Sequence, residues 1–198
     1  MNKLNKILNE VFPPAVVEIA NQQEYLGMRL SGGIDSAFLC YLTMVKFPNK
    51  KIIPITMYNK IRPGAVDSVN RVIDVLQILN PDSIIVKPEI GYFDTTGFTP
   101  TKEMRENFIL TGKKYNPKDI FQNQWFNTIF DKYEGKLNML LSGETLNPPV
   151  DVQDTLVMSG EFPPDRNHKA ARVFSSWSYN EFNRYEFRPF RNINKKEL

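Results

Sequence analysis

The residues best suited to chemistry are Ser31-Gly32-Gly33-Ile34-Asp35-Ser36. Adjacent glycines can take positive φ and leave backbone N–H groups uncovered. A nest of such groups at the positive end of a helix attracts phosphate. Ser31 and Ser36 add hydroxyl donors, and the Asp35 carboxylate is of the kind that ligates Mg2+. A turn capped by Asp35 or Ser31 is the competing reading. The string is neither a Walker A loop nor a Rossmann glycine fingerprint, because it lacks the lysine and the spacing those motifs need.

The loop needs a strand before it and a helix after it. Tyr25–Leu30 reads as the end of a strand over 24–30, and Asp35–Lys46 as a helix apolar nearly all round, closed by Pro48-Asn49. An N-terminal helix is predicted over 2–11, ending before Pro13-Pro14. A second strand covers 51–58, and Pro54 within it points to an edge position or a bulge. Pro63-Gly64 opens a helix through Leu79, with Val66, Val69, Ile73, Leu76 and Leu79 as its apolar stripe. A third strand covers 83–88, and a variable stretch begins near 91. Helical character returns near 101–111 and over 118–133. A fourth strand spans 137–141, a Pro-rich loop 143–165, and a last strand 183–188. Alternating strands and helices predict a three-layer α/β/α fold with an open, mostly parallel sheet. Ligands of such sheets bind beyond the carboxyl ends of the strands. Ser31–Ser36, Met57–Lys60, Ser142–Asn147 and Pro189–Lys195 are therefore expected to border one crevice.

The string Ser31–Ser36 resembles the PP-loop of the N-type ATP pyrophosphatases, whose motif Ser-Gly-Gly-x-Asp-Ser it matches without a substitution. The resemblance implies an adenine-nucleotide alpha-hydrolase-like, Rossmann-like domain over 1–198. It also implies ATP and Mg2+ as cofactors. By the same resemblance ATP would be cleaved between the α- and β-phosphates, with AMP transferred to an acceptor carboxyl or carbonyl oxygen. Ser31, Ser36 and the N–H groups of Gly32, Gly33 and Ile34 would cradle pyrophosphate while Asp35 helps to hold the metal. Adenine would lie near Met57 and Tyr58. The run Arg188-Pro189-Phe190 through Lys195-Lys196-Glu197-Leu198 resembles the family's second phosphate element, which assigns Lys195 to the ATP phosphates. Ser142-Gly143-Glu144, with Phe162-Pro163-Pro164-Asp165-Arg166, is similar to the 7-cyano-7-deazaguanine synthase and asparagine synthetase-like branch. There Ser142 and Gly143 would border the nucleotide, and Glu144 would hold Mg2+ or face the acceptor; a plain turn at Ser142-Gly143 is the alternative. The family continues beyond the point where this chain stops, so a minimal form, a truncation and one half of a split protein are the alternatives.

Composition prunes the second half-reaction. One cysteine, Cys40, excludes an internal disulfide or a multi-cysteine zinc site and disfavours the thiolating branch. Met1-Asn2 is not a glutaminase nucleophile. An amidating ligase using free ammonia, an amine or an ammonia-supplying partner subunit is left. A non-catalytic nucleotide-binding subunit or sensor is an alternative, and a tRNA- or nucleobase-modifying enzyme is another. A net charge of +3 is weak support for nucleic-acid binding. No membrane span or secretory leader is legible, so a cytoplasmic protein is expected. By analogy with the family it would pair as a homodimer. His168, the one histidine, reads as a surface residue, and Trp125 and Trp177 as core or partner contacts. Arg29, beside the loop, is expected either to snorkel outward or to reach a phosphate.

Overall fold

The computed structural model describes residues 3–59, 64–94, 99, 101–103, 106, 117–143, 174–179 and 182–190. Helix α1 (Lys3–Val11) buries Leu8 and packs Leu4, Ile7 and Val11 beside it, one face of a 3.6-residue period. Pro13-Pro14 ends that helix and also begins another. Pro14 sits in the first turn of α2 (Pro14–Asn21), where a missing N–H costs nothing.

Five parallel-running strands and one antiparallel strand follow in the order β3-β2-β1-β5-β7-β6, and β4 also pairs with β2. They are β1 (Tyr25–Arg29), β2 (Lys51–Asn59), β3 (Ile84–Ile85), β4 (Glu89–Phe93), β5 (Met139–Ser142), β6 (Phe174–Tyr179) and β7 (Phe182–Phe187). Three further helices cover them: α3 (Ile34–Lys46), α4 (Ala65–Leu79) and α5 (Pro117–Lys132). The predicted three-layer arrangement is what the structure has. Leu26, Met28, Ile52, Met139, Leu141 and Phe187 point to the face under α1 to α4. Ile53, Ile55 and Leu140 point to α5, where Phe126, Ile129 and Phe130 meet them. The alternation is the period of two that a strand imposes.

Several elements depart from the sequence expectation. Pro54 lies in an inner strand, since β2 pairs with β1 on one side and with β3 and β4 on the other. The bulge is in the neighbouring strand. Ile85 stands opposite Ile52 and Glu89 opposite Ile55, so Val86-Lys87-Pro88 faces only Ile53-Pro54. Val86 N–H still donates to the Ile52 carbonyl at 2.9 Å. By strand alternation the Pro54 nitrogen faces the same neighbour, and it has no hydrogen to continue the ladder. Strand β4 thus occupies part of the stretch read as variable. Leu79, assigned to the buried stripe of α4, is 61% exposed, while Val69 and Leu76 are buried. Strand β6 pairs antiparallel with β7 at the sheet edge, Trp177 opposite Arg184. The side chain of Trp177, the loop 143–165 beyond Gly143, His168 and most of 101–111 lie outside the described residues.

Candidate active site

Strand β1 is where the sheet changes direction. Its sequence successor β2 lies on one side and β5 on the other. The loop that leaves β1 therefore opens at the topological switch point, the place where ligands of such sheets bind. Gly32 takes φ +77°, in the left-handed region. A Cβ there would lie 2.7 Å from Ser68 Cβ on α4, so conformation and space both require glycine. Gly33 is the N-cap of α3 and has no side-chain cap bond. The first helical bond runs from Ala37 N–H to the Gly33 carbonyl. The N–H groups of Ile34, Asp35 and Ser36 consequently have no acceptor within the helix.

The two serines brace this cup. Ser36 Oγ–H donates to the Gly33 carbonyl (3.0 Å), and Ser31 N–H donates to Ser36 Oγ (3.2 Å). The two hydroxyl oxygens are 3.0 Å apart. One hydroxyl has one proton, so with that of Ser36 on Gly33, Ser31 is the donor between them. Gly33 N–H in turn donates to Ser31 Oγ at 3.3 Å. Both hydroxyl protons are thus engaged inside the loop. A phosphate reaching for them would have to exchange bonds, whereas the helix-terminal amides already aim outward. Ser36 is buried, Asp35 half-buried, and Ile34 is 74% exposed. The N-cap position itself falls on Gly33, not on Ser31 or Asp35.

Neighbouring strands fix the cup from both sides. Thr56 Oγ1 on β2 donates to the Leu30 carbonyl at 2.8 Å, tying the loop entry to β2. Gly143, just past β5, lies so close to α3 that a Cβ would fall 2.6 Å from the Asp35 carbonyl oxygen. Ser142 is buried beside it, opposite Arg29. Strand alternation turns the Met57 backbone toward the β1 side, above the last pair Arg29↔Ile55, and the Tyr58 backbone toward β4. The Tyr58 ring lies 5.5 Å from that of Tyr92. Phe190, after β7, stacks on Phe38 of α3 at 5.9 Å, one turn beyond Asp35. The structure thus gathers Ser31 to Ser36, Met57, Tyr58, Ser142 and Gly143 along one sheet edge. Glu144 and Lys195 lie outside the described residues.

Sequence reasoning missed Thr56 and Ser68, whose roles depend on neighbours far along the chain. It did not disclose the partner of Arg29, whose Nη1 donates to Glu186 Oε1 at 2.7 Å while the guanidinium lies over the Phe126 ring. Cys40 is fully buried on α3, and desolvation pushes its thiol up to about 12. Among the described residues no helix is long and apolar enough to cross a membrane, and no three acidic, histidine or cysteine side chains group as a metal site.

No family model matches the sequence, and no curated protein does. Solved structures match by shape. One is the U34-tRNA thiolase NcsA from Methanococcus maripaludis with its [4Fe-4S] cluster, at TM-score 0.55 and 17% identity over 98% of this chain. The chain spans 60% of that protein's length. Others are the FMN adenylyltransferase of Candida glabrata (TM-score 0.46, 11% identity, 96% of this chain and 51% of that one) and the glutamine-dependent NAD+ synthetase of Acinetobacter baumannii (0.40, 15%, 81% and 28%). The thiolase shares the open parallel sheet with helices on both faces. That likeness shows the fold, an open and mostly parallel α/β sheet between helices.

Proposed function

We propose that this chain binds ATP at the Ser31–Ser36 cup and uses it to adenylate an acceptor. An acceptor carboxyl or carbonyl oxygen attacks the α-phosphorus, the α–β bridging bond breaks, AMP stays on the acceptor and pyrophosphate leaves. Ammonia or an amine then displaces AMP. The observation that carries the reading is the amide cup at the switch point, with both serines spent on holding its shape. Preorganised donors of this kind stabilise charge as it develops and need no reorganisation.

The residue roles follow. The N–H groups of Gly32 and Ile34 would face the pyrophosphate, with Ser31 and Ser36 behind them, and the Gly33 N–H would join them by giving up its bond to Ser31 Oγ. The Met57 backbone is the one at the end of β2 turned to the β1 side, which suits adenine. Asp35, half-buried at the cup, fits Mg2+, an ion that takes one or two carboxylates and completes its shell with phosphate oxygens. Bound there, Mg2+ would neutralise charge on the leaving pyrophosphate. Lys195 and Glu144 are proposed as a second phosphate contact and a second metal ligand. Phe190 anchors the segment that precedes Lys195 against α3, and five extended residues reach roughly 17 Å. Cys40, buried with a thiol that stays protonated, does not supply a sulfur nucleophile.

The test is titration of the full chain with the α,β-methylene analogue of ATP, followed by pyrophosphate release with candidate acceptors. Wild type should bind, and Asp35→Ala should weaken binding or turnover by about tenfold or more with an unchanged circular dichroism spectrum. Equal nucleotide affinity and equal turnover in wild type and variant would sink the assignment. Binding with no turnover on any acceptor points to a sensor or a subunit. RNA affinity falling steeply with salt points to nucleic-acid modification.

A further inference from the structure

Helix α4 carries two apolar stripes. Val69 and Leu76 are buried, and Val72 and Ile73 pack against the same core. A helix that covers a sheet is expected to be polar away from its core stripe. Here Val75, Ile78 and Leu79, spaced i, i+3 and i+4, line a second stripe with exposures of 54%, 79% and 61%. Single exposed apolar residues need no explanation, but three on one stripe of one helix make a contiguous patch of the kind that marks a contact surface. Opposite charges close the stripe at its two ends. Arg71 lies one turn before Val75, and Asp82 follows in the turn after the helix; both are exposed. Arg71 Nη2 donates to Ser68 Oγ at 3.2 Å. Among the described residues neither Arg71 nor Asp82 is in an ion pair. The pattern has one centre. Arg71 and Asp82 lie at equal distances along the chain from the Leu76–Gln77 bond, and so do Val75 and Ile78.

We propose that this stripe of α4 is the contact surface for a second copy of the chain, packed antiparallel across a two-fold axis that passes beside Leu76 and Gln77. A two-fold contact places the same patch on both copies, so the patch must complement itself. Turning α4 end for end sets Val75 against Ile78 of the other copy and Arg71 against Asp82, and each contact occurs twice. Opposite charges at the ends of an apolar centre fix this register, and they disfavour the parallel arrangement, which would set arginine on arginine. Three side chains supply only part of the roughly 800 Å² that each partner gives to a stable interface, so the dimer is a weak one with a micromolar Kd. None of these residues belongs to the cup, so the surface stands or falls apart from the adenylation reading.

Sedimentation velocity of the full chain over about 1 to 500 μM tests it. The mass should rise with concentration from 23.0 kDa toward twice that value. Ile78→Asp, at a site 79% exposed, should keep the circular dichroism of wild type and stay monomeric. Arg71→Glu and Asp82→Arg should each weaken self-association by about tenfold, because each sets like charges together at both ends. Mixed in equal amounts, these two variants should pair with one another more tightly than either does with itself, since each offers the other its missing opposite charge. A mass of 23.0 kDa at every concentration, a dimer that survives Ile78→Asp, or a mixture no tighter than its separate components overturns the pairing. Wild type that stays monomeric yet binds anilinonaphthalene sulfonate, when Ile78→Asp does not, assigns the stripe to a different partner and overturns it as well.

Discussion

At Gly32 and Ser36 the loop's shape depends on single atoms. Gly32→Ala places a Cβ at φ +77° and 2.7 Å from Ser68 Cβ. The left-handed penalty alone is about 1–2 kcal/mol, and the contact adds to it. A lowered thermal midpoint together with weakened nucleotide binding is the expected result. Ser36→Ala removes the donor to the Gly33 carbonyl and the acceptor of Ser31 N–H. It should cost about 1–2 kcal/mol, read by urea unfolding, and loosen the cup as well. These residues were legible in the sequence because glycine and serine at that spacing have few other uses. What Ser31 and Ser36 do with their protons was not legible. The string suggests donors to a ligand, and the fold spends them on each other and on Gly33. The partner of Arg29 was hidden for the same reason, since Glu186 is 157 residues away.

Elements were easiest to read where one period ran undisturbed. Strands β1 and β2 and helix α3 fall within a residue or two of expectation. Prolines caused the errors. Pro13-Pro14 signals an ending, and nothing local says that Pro14 also opens α2. Pro88 separates β3 from β4, so two short strands look like one strand and a loop. Strand β4 is held to α5 by Glu89, which accepts from Lys132 Nζ at 2.5 Å and from Tyr133 Oη at 2.7 Å. Burial raises the Glu89 pKa, but these hydrogen bonds outweigh it and hold the carboxyl below its ordinary 4.5. A carboxyl lowered in the folded state stabilises above its unfolded pKa, and the contribution disappears as pH falls through the folded value. Denaturation of wild type between about pH 5 and pH 3 should therefore be steeper than that of Glu89→Gln. The difference should stay at or below about 1 kcal/mol, because the Lys132 side chain is 59% exposed.

Across the whole molecule, the order of the strands does what no segment can. It sets the ends of β2, β1, β5 and β7 side by side, although β1 and β7 are separated by most of the chain. Alternation of strands and helices predicts the layers, while the order itself comes from long-range pairing and is not written in local pattern. Phe190 shows how the far end is secured. It is 1% exposed and stacked on Phe38, so Phe190→Ala should cost about 3–5 kcal/mol in chemical denaturation. If Lys195 serves the phosphates, the same variant should also raise the KM for ATP.

The surplus residue among Val86, Lys87 and Pro88 decides which half of β4 looks at α5. With it in place, Glu89 meets Lys132, and Gly91 leaves room for the Trp125 ring, which a Cβ there would approach to 2.4 Å. A chain shortened by Lys87 would turn the strand over, offering Ile90 and Tyr92 to that indole and stranding the carboxylate on the opposite side. Its tryptophan near-ultraviolet dichroism should collapse while the far-ultraviolet signal of the other strands persists.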